Sequence, residues 1–180
     1  MQGVARGLGR LSAGLDRLAL AGAAIAVIVM VAAAVWQVIA RYLLSAPPIW
    51  TEELASHSMV WAGMLGASAA FRASADPTLF PGARAIGGGR GLLLSAVRAA
   101  GVLLLAVPVL YYSFFSARGD ITRGFLARSA ARDAEMIDLS MVWFTVAIPV
   151  AFSLIVIHLL AELAARAAGI DPVAATEPTT

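Results

Sequence analysis

Four stretches of this 180-residue chain, residues 18–40, 54–71, 99–115 and 139–164, are long apolar runs, and the first three contain no Asp, Glu, Lys or Arg. A helix of about 20 apolar residues crosses the ~30 Å hydrocarbon core of a bilayer, with ~17 as the short limit. Every run reaches that length, the second and third narrowly. In lipid each backbone N–H and C=O must be bonded within its own segment, so such runs fold as helices. Composition agrees: 61% of the residues are hydrophobic and 13% charged, where soluble domains have about 45–50% and about 25%. The expected fold class is therefore an all-α integral membrane protein of four transmembrane helices. A membrane domain over 18–168 follows an amphipathic lead-in over 1–17 and precedes a polar, proline-bearing, disordered tail over 169–180.

Arginine placement orients the bundle. All thirteen basic residues are arginine. With the N-terminus inside, eight lie in cytoplasmic segments (Arg6, Arg10, Arg17, Arg72, Arg84, Arg90, Arg98, Arg166) and five outside (Arg41, Arg118, Arg123, Arg128, Arg132). The excess inside favours cytoplasmic N- and C-termini. The first run has 23 residues and ends in Trp36, Gln37 and Arg41, too long for a signal-peptide apolar region of ~7–15 residues, and reads as a retained anchor. Ahead of it, Val4, Leu8, Leu11, Leu15 and Leu18 share one helical face and Arg6, Arg10 and Arg17 lie elsewhere. That suits a helix lying on anionic membrane lipid; a frayed basic tail fits as well. Arg98 is expected at the border of the third helix, since a central arginine costs at least ~2.5 kcal/mol. Pro108 and Pro149 should kink the third and fourth helices. The inner loop 72–98, with Pro77, Pro81 and Gly87-Gly88-Gly89, lacks a GK[ST] step and reads as a flexible connector.

Several chemistries fail on placement. A proton-coupled carrier needs a carboxylate in mid-membrane, yet all eleven acids fall at helix ends or in loops. His57 lies three residues into the second run and His158 nineteen into the fourth. At ~1.5 Å per residue their depths differ by ~24 Å, so they cannot share one haem. Ser58 points about 100° away from His57 on a helix and forms no dyad with it. With no cysteine, thiolate metal sites are excluded. No catalytic, cofactor or metal residues are expected, the chain is no enzyme, and a net charge of +2 gives no footing for nucleic acid.

What the helices offer is surface for other helices. Ala62, Gly66 and Ala70 repeat every four residues, Gly22 and Ala26 pair on the first helix, and Ala147 and Ala151 on the fourth. Such small-residue stripes let backbones approach closely, within this bundle or against a partner. Ser45 or Thr51 can N-cap the second helix, with Glu52 and Glu53 in its first turn. Tyr42 and Trp50 suit the outer headgroup belt. Two adjacent acids facing Arg41 across a short loop suggest a salt bridge from Arg41 to Glu52 or Glu53, or to a partner.

The segment VWQVIARYLLSAPPIWTEELASHSMVWAGMLGASAAFR resembles the small membrane subunit (DctQ-type) of tripartite ATP-independent periplasmic (TRAP) transporters. Arg41, Tyr42, Trp50, Glu52, Glu53, Trp61, Gly66 and Arg72 occupy the places of that pattern, and Met141-Val142-Trp143 followed by Ile148-Pro149 resembles the family's last helix. After Arg72 the sequence ASADPTLFP replaces the family's Gly-rich step and histidine. The resemblance implies an auxiliary permease subunit of a secondary, sodium-coupled importer of organic acids in the bacterial inner membrane. Its partners would be a large membrane subunit, a periplasmic substrate-binding protein and membrane lipid, and the eight residues above become partner-interface candidates. The outer loop 116–138 carries four arginines and four acids. Its default reading is a solvated loop; Arg123, Arg128 and Arg132 are candidates for docking the binding protein. A structural anchor of another inner-membrane complex and a stand-alone homodimeric carrier are the rival readings.

Overall fold

The computed structural model describes residues 2–46, 48–73 and 88–169, and everything regular in it is helical apart from one isolated bridge. Helix α1 spans Gln2–Tyr42, α2 Trp50–Arg72 and α3 Gly88–Phe114. A 3-10 turn at Ile121–Arg123, the short helices α4 (Phe125–Ala130) and α5 (Val142–Thr145), and α6 (Ala147–Ala167) complete the chain. Three segments are long and apolar enough to cross a membrane: α1, Leu93–Phe114 of α3, and Val142–Ala167. The fourth expected span, α2, does not reach that apolarity. Its sequence carries Thr51, Glu52, Glu53, Ser56, His57, Ser58 and Ser68 among 23 residues.

Boundaries differ from the sequence reading in four instructive ways. The expected lead-in and first membrane run are one unbroken helix. Its packed face is not the apolar Val4–Leu11–Leu18 stripe, which is exposed, but Ala5, Ser12, Asp16 and Ala19. Helix α3 begins three turns earlier than residue 99, so Arg98 lies inside it rather than at its border; the partner that permits this is described below. The last run breaks at Val146 into α5 and α6, because Pro149 has no N–H to return to the Thr145 carbonyl, whereas α3 continues through Pro108. Helix α2 begins after Ile49 without a side-chain cap. Thr51, expected as a cap, is fully buried and donates its hydroxyl to the Pro48 carbonyl at 2.8 Å, while Ser45 sits in the loop in a left-handed conformation (φ 51°). The proline- and glycine-bearing connector at 74–87 and the tail at 170–180 lie outside the described residues.

Helices α1, α2 and α6 pack against one another, and α3 leans on α6 and α4. Among the described residues ten of the twelve buried apolar side chains are alanine, the others being Leu65 and Leu159. Lipid gives apolar groups no reason to leave it, so cohesion here comes from close backbone approach and dispersion. Ala147 and Ala151 of α6 are used in this way. Gly22 of α1 receives Leu65 of α2, whose Cδ1 would stand 2.9 Å from a Cβ there. Buried hydroxyls return to their own helix: Ser68 donates to Leu65 O at 2.8 Å and Ser113 to Val109 O at 2.7 Å. Each such bond fills a polar need within the segment. The Ala62–Gly66–Ala70 stripe, by contrast, is only half-buried, and a Cβ on Gly63 or Gly66 would meet nothing within 4 Å.

Candidate functional site

Two polar clusters, one near each end of α2, carry nearly all the side-chain chemistry of the bundle. At the α2 C-terminus Arg72 donates from NH1 to Asp16 Oδ2 of α1 at 2.9 Å and from Nε to Ser12 Oγ at 3.2 Å. Ser12 Oγ lies 2.8 Å from His158 Nδ1 of α6. One turn further along α6, Glu162 accepts both hydrogen bonds of Arg98 NH1 from α3, at 2.8 and 3.1 Å, and one from Arg166 at 3.3 Å. The Arg98 guanidinium also stands 4.6 Å from the centre of the Phe71 ring, a cation–π contact. The charged side chains are largely buried, between 13% and 22% exposed. A guanidinium so placed is tolerable because its partner is a carboxylate at hydrogen-bond distance. Arg98 therefore sits inside α3.

Four helices meet in this cluster, and two of its three ion pairs join different helices. The sequence reading missed it, treating Asp16 and Glu162 as helix-end acids and His158 as an isolated contact. The signal was there in the spacing. Ser12 and Asp16 are four apart on α1, and His158, Glu162 and Arg166 fall at i, i+4 and i+8 on an apolar helix, so each set lies on one face. Ser12 and His158 resemble a nucleophile–base dyad. Each is only 4% exposed and Ser12 also receives the Arg72 N–H, so no substrate carbonyl can reach the hydroxyl.

At the other end, Glu53 binds the backbone of residues 135–137. Its carboxylate accepts the N–H groups of Glu135, Met136 and Ile137 at 2.8, 2.7 and 2.9 Å. His57, four residues on, places Nε2 3.7 Å from Glu53 Oε1 and stacks on Phe144 with ring centroids 3.7 Å apart. One further turn along, Trp61 donates its indole N–H to the Trp143 carbonyl at 3.0 Å. Withdrawal from water raises the Glu53 carboxyl, but the Met136, Glu135 and Ile137 amides, with His57, outweigh it and hold it below its ordinary value. The expected salt bridge from Arg41 to Glu52 or Glu53 is absent. Arg41 and Glu52 are exposed at the ends of α1 and α2, and Glu53 satisfies backbone donors instead.

Residues 116–138, whose default reading from sequence is a solvated loop, are folded together with 139–141 into a cap. Asp120 caps the 3-10 turn, accepting from the Thr122 N–H at 2.9 Å and its hydroxyl at 2.7 Å. These two bonds, with Arg123 beside it, hold the Asp120 carboxyl below the usual range. Gly124 is required where it stands, since a Cβ would collide with the Phe114 carbonyl. Asp133 pairs with Ser140 in the isolated bridge, and Met141 N–H bonds the Arg132 carbonyl at 2.9 Å. Arg123, Arg128 and Arg132 are all exposed on this cap; among the described residues only Arg123 of the three makes an ion pair, with Asp120 at 3.7 Å. Of the partner-interface candidates, Tyr42 and Trp50 are exposed as well. Glu53, Trp61 and Arg72 are engaged within the chain, and Gly66 faces open space.

A family model described as the DctQ component of tripartite ATP-independent periplasmic transporters matches residues 30–169. The chain belongs to that family. It is a membrane component of a TRAP transporter, a tripartite system in which it works with the other components. The match takes in Glu53, the cap, Arg72, Arg98 and Glu162, and leaves out Ser12 and Asp16, which α1 adds to the Arg72 cluster. No curated protein matches the chain.

If Glu53 anchors the cap, Glu53→Ala should speed hydrogen exchange at the amides of Glu135, Met136 and Ile137 by roughly tenfold or more, the loss expected for bonds to a charged acceptor. Because folding lowers this carboxyl's pKa, its stabilisation is complete above the unfolded value of 4.5 and disappears as pH falls through the folded one. Acidification from pH 4.5 through the folded value should therefore loosen the cap as the substitution does. Unchanged protection in the variant would remove Glu53 from this role.

Proposed function

We propose that this subunit is the rigid, non-carrying part of a sodium-coupled TRAP importer of organic acids in a bacterial inner membrane, with α2 as a fourth span and both termini cytoplasmic. One observation carries the reading. The two carboxylates inside the bundle, Asp16 and Glu162, are both bound by arginines. A driving cation needs a carboxylate or carbonyl cage that can open and close around it, and a carboxylate already neutralised by a guanidinium is unsuited to that. Transport work therefore falls to the large membrane subunit, and this chain supplies a fixed surface for it.

That surface is the exposed side of α2. Below Met59 it carries Gly63 and Ala67, with the half-buried Gly66 and Ala70 beside them, and a Cβ on either glycine would meet nothing within 4 Å. Each glycine costs the helix about 1 kcal/mol relative to alanine, a loss that is offset if a partner backbone comes close there. Arg41, Tyr42, Trp50 and Glu52 lie at the outer end of α1 and α2, where the same partner would meet the headgroup layer. The outer cap presents Arg123, Arg128 and Arg132 to the periplasmic binding protein.

Gly66→Leu should abolish co-purification of the large membrane subunit in mild detergent while leaving the thermal unfolding of this chain unchanged. Gly22→Leu, placed against Leu65, should instead destabilise the chain itself by about 1–3 kcal/mol. Full co-purification with Gly66→Leu would place the contact elsewhere. Joint neutralisation of Arg123, Arg128 and Arg132 to Gln should slow uptake about tenfold at limiting binding protein and far less at saturation, as lost electrostatic steering does. Equal uptake at both concentrations would remove docking from the cap.

A further inference from the structure

Where α3, α4 and α6 meet there is an open groove of about 350 Å³. Its walls are apolar: Pro108 and Val109 from α3, Phe125 from α4 and Ile148 from α6. Ser113 also lines it, but its hydroxyl is bonded to its own helix. The polar character of the groove therefore resides in Tyr112 and Arg128. Arg128 is exposed and makes no ion pair among the described residues.

Depth decides what such a groove can hold. Tyr111, Tyr112 and Phe115 form an aromatic cluster with centroids 5.4 Å apart at the end of the apolar run of α3. Tyrosines at the end of a membrane helix mark the headgroup boundary. Pro108 and Val109 lie about one turn deeper, at acyl-chain level, and Arg128 stands on the cap helix at the boundary. The site thus presents an uncompensated cation at phosphate height and an apolar channel below it. That combination is complementary to an amphipathic anion.

We infer that the groove binds one anionic phospholipid of the outer leaflet, with its phosphate on Arg128 and the Tyr112 hydroxyl and an acyl chain along Val109, Pro108 and Ile148. The lipid fills the space between α3 and the rest of the bundle and ties the cap to the membrane surface. The phosphate contact of Arg128 does not depend on where the binding protein docks.

The test is native mass spectrometry of the transporter complex, delipidated in neutral detergent and titrated with dioleoyl phosphatidylglycerol in the absence of binding protein. Wild type should retain one lipid, and Arg128→Gln should lower retention about tenfold. Val109→Trp and Ile148→Trp, which fill the channel without touching charge, should lower it similarly while still co-purifying with the other components. Arg118→Gln, on the same cap but outside the groove, should retain lipid as wild type does. Wild-type retention in Arg128→Gln, or in both groove-filling variants, overturns the assignment, as does a wild-type complex that retains no lipid.

Discussion

The ion pair between Arg98 and Glu162 is the interaction on which the arrangement of this bundle depends. It joins α3 to α6 at 2.8 Å in a place where neither charge is well solvated. Removing one partner of such a pair leaves an uncompensated buried charge, at about 3–5 kcal/mol. Most of α3 otherwise offers only alanine, serine and lipid-facing side chains, so few contacts compete in strength. Arg72 with Asp16 and Ser12 does the same for α1 and α2, and His158 links that group to α6. Four helices contributed by distant parts of the sequence are thus held at one level by charge, while small residues let their backbones come close.

The opposite end is held by a different device. Glu53 gathers the three backbone amides of residues 135–137, and His57, Phe144, Trp61 and Trp143 continue the contact down α2. α2 is thus clamped at both ends, to α1 through Arg72 and to residues 135–144 through Glu53, His57 and Trp61. The same clamps consume the ionisable groups that a carrier would need to leave available.

Much of this was legible in the sequence. Three of the four apolar runs fall on helices long and apolar enough to cross a membrane, and the segment from Arg41 to Arg72 carries the family's pattern. The helix limits were less legible, for physical reasons. The rule that arginine avoids the membrane interior put Arg98 at a border, because the rule considers one helix at a time and the partner lies 64 residues away. Apolar periodicity put Val4, Leu8, Leu11, Leu15 and Leu18 on a lipid-facing side of the lead-in and said nothing of the face on which Ala5, Ser12 and Asp16 pack inward. Glu53 was read with Arg41 because opposite charges are visible in sequence, whereas backbone amides 82 to 84 residues away are not. The cap at 116–141 hid behind a balanced charge count, its fold set by local bonds of Asp120 and the steric demand at Gly124.

The most direct test is a double-mutant cycle on the inner pair, read by thermal unfolding of the purified protein in detergent. Arg98→Leu and Glu162→Leu should each destabilise the fold by about 3–5 kcal/mol, and the double variant should recover part of that loss, because Arg98 is removed together with its carboxylate and only Arg166 is left without that partner. Two single variants as stable as the wild type, or a double variant whose loss equals the sum of the two, would contradict the claim that this pair holds the bundle together.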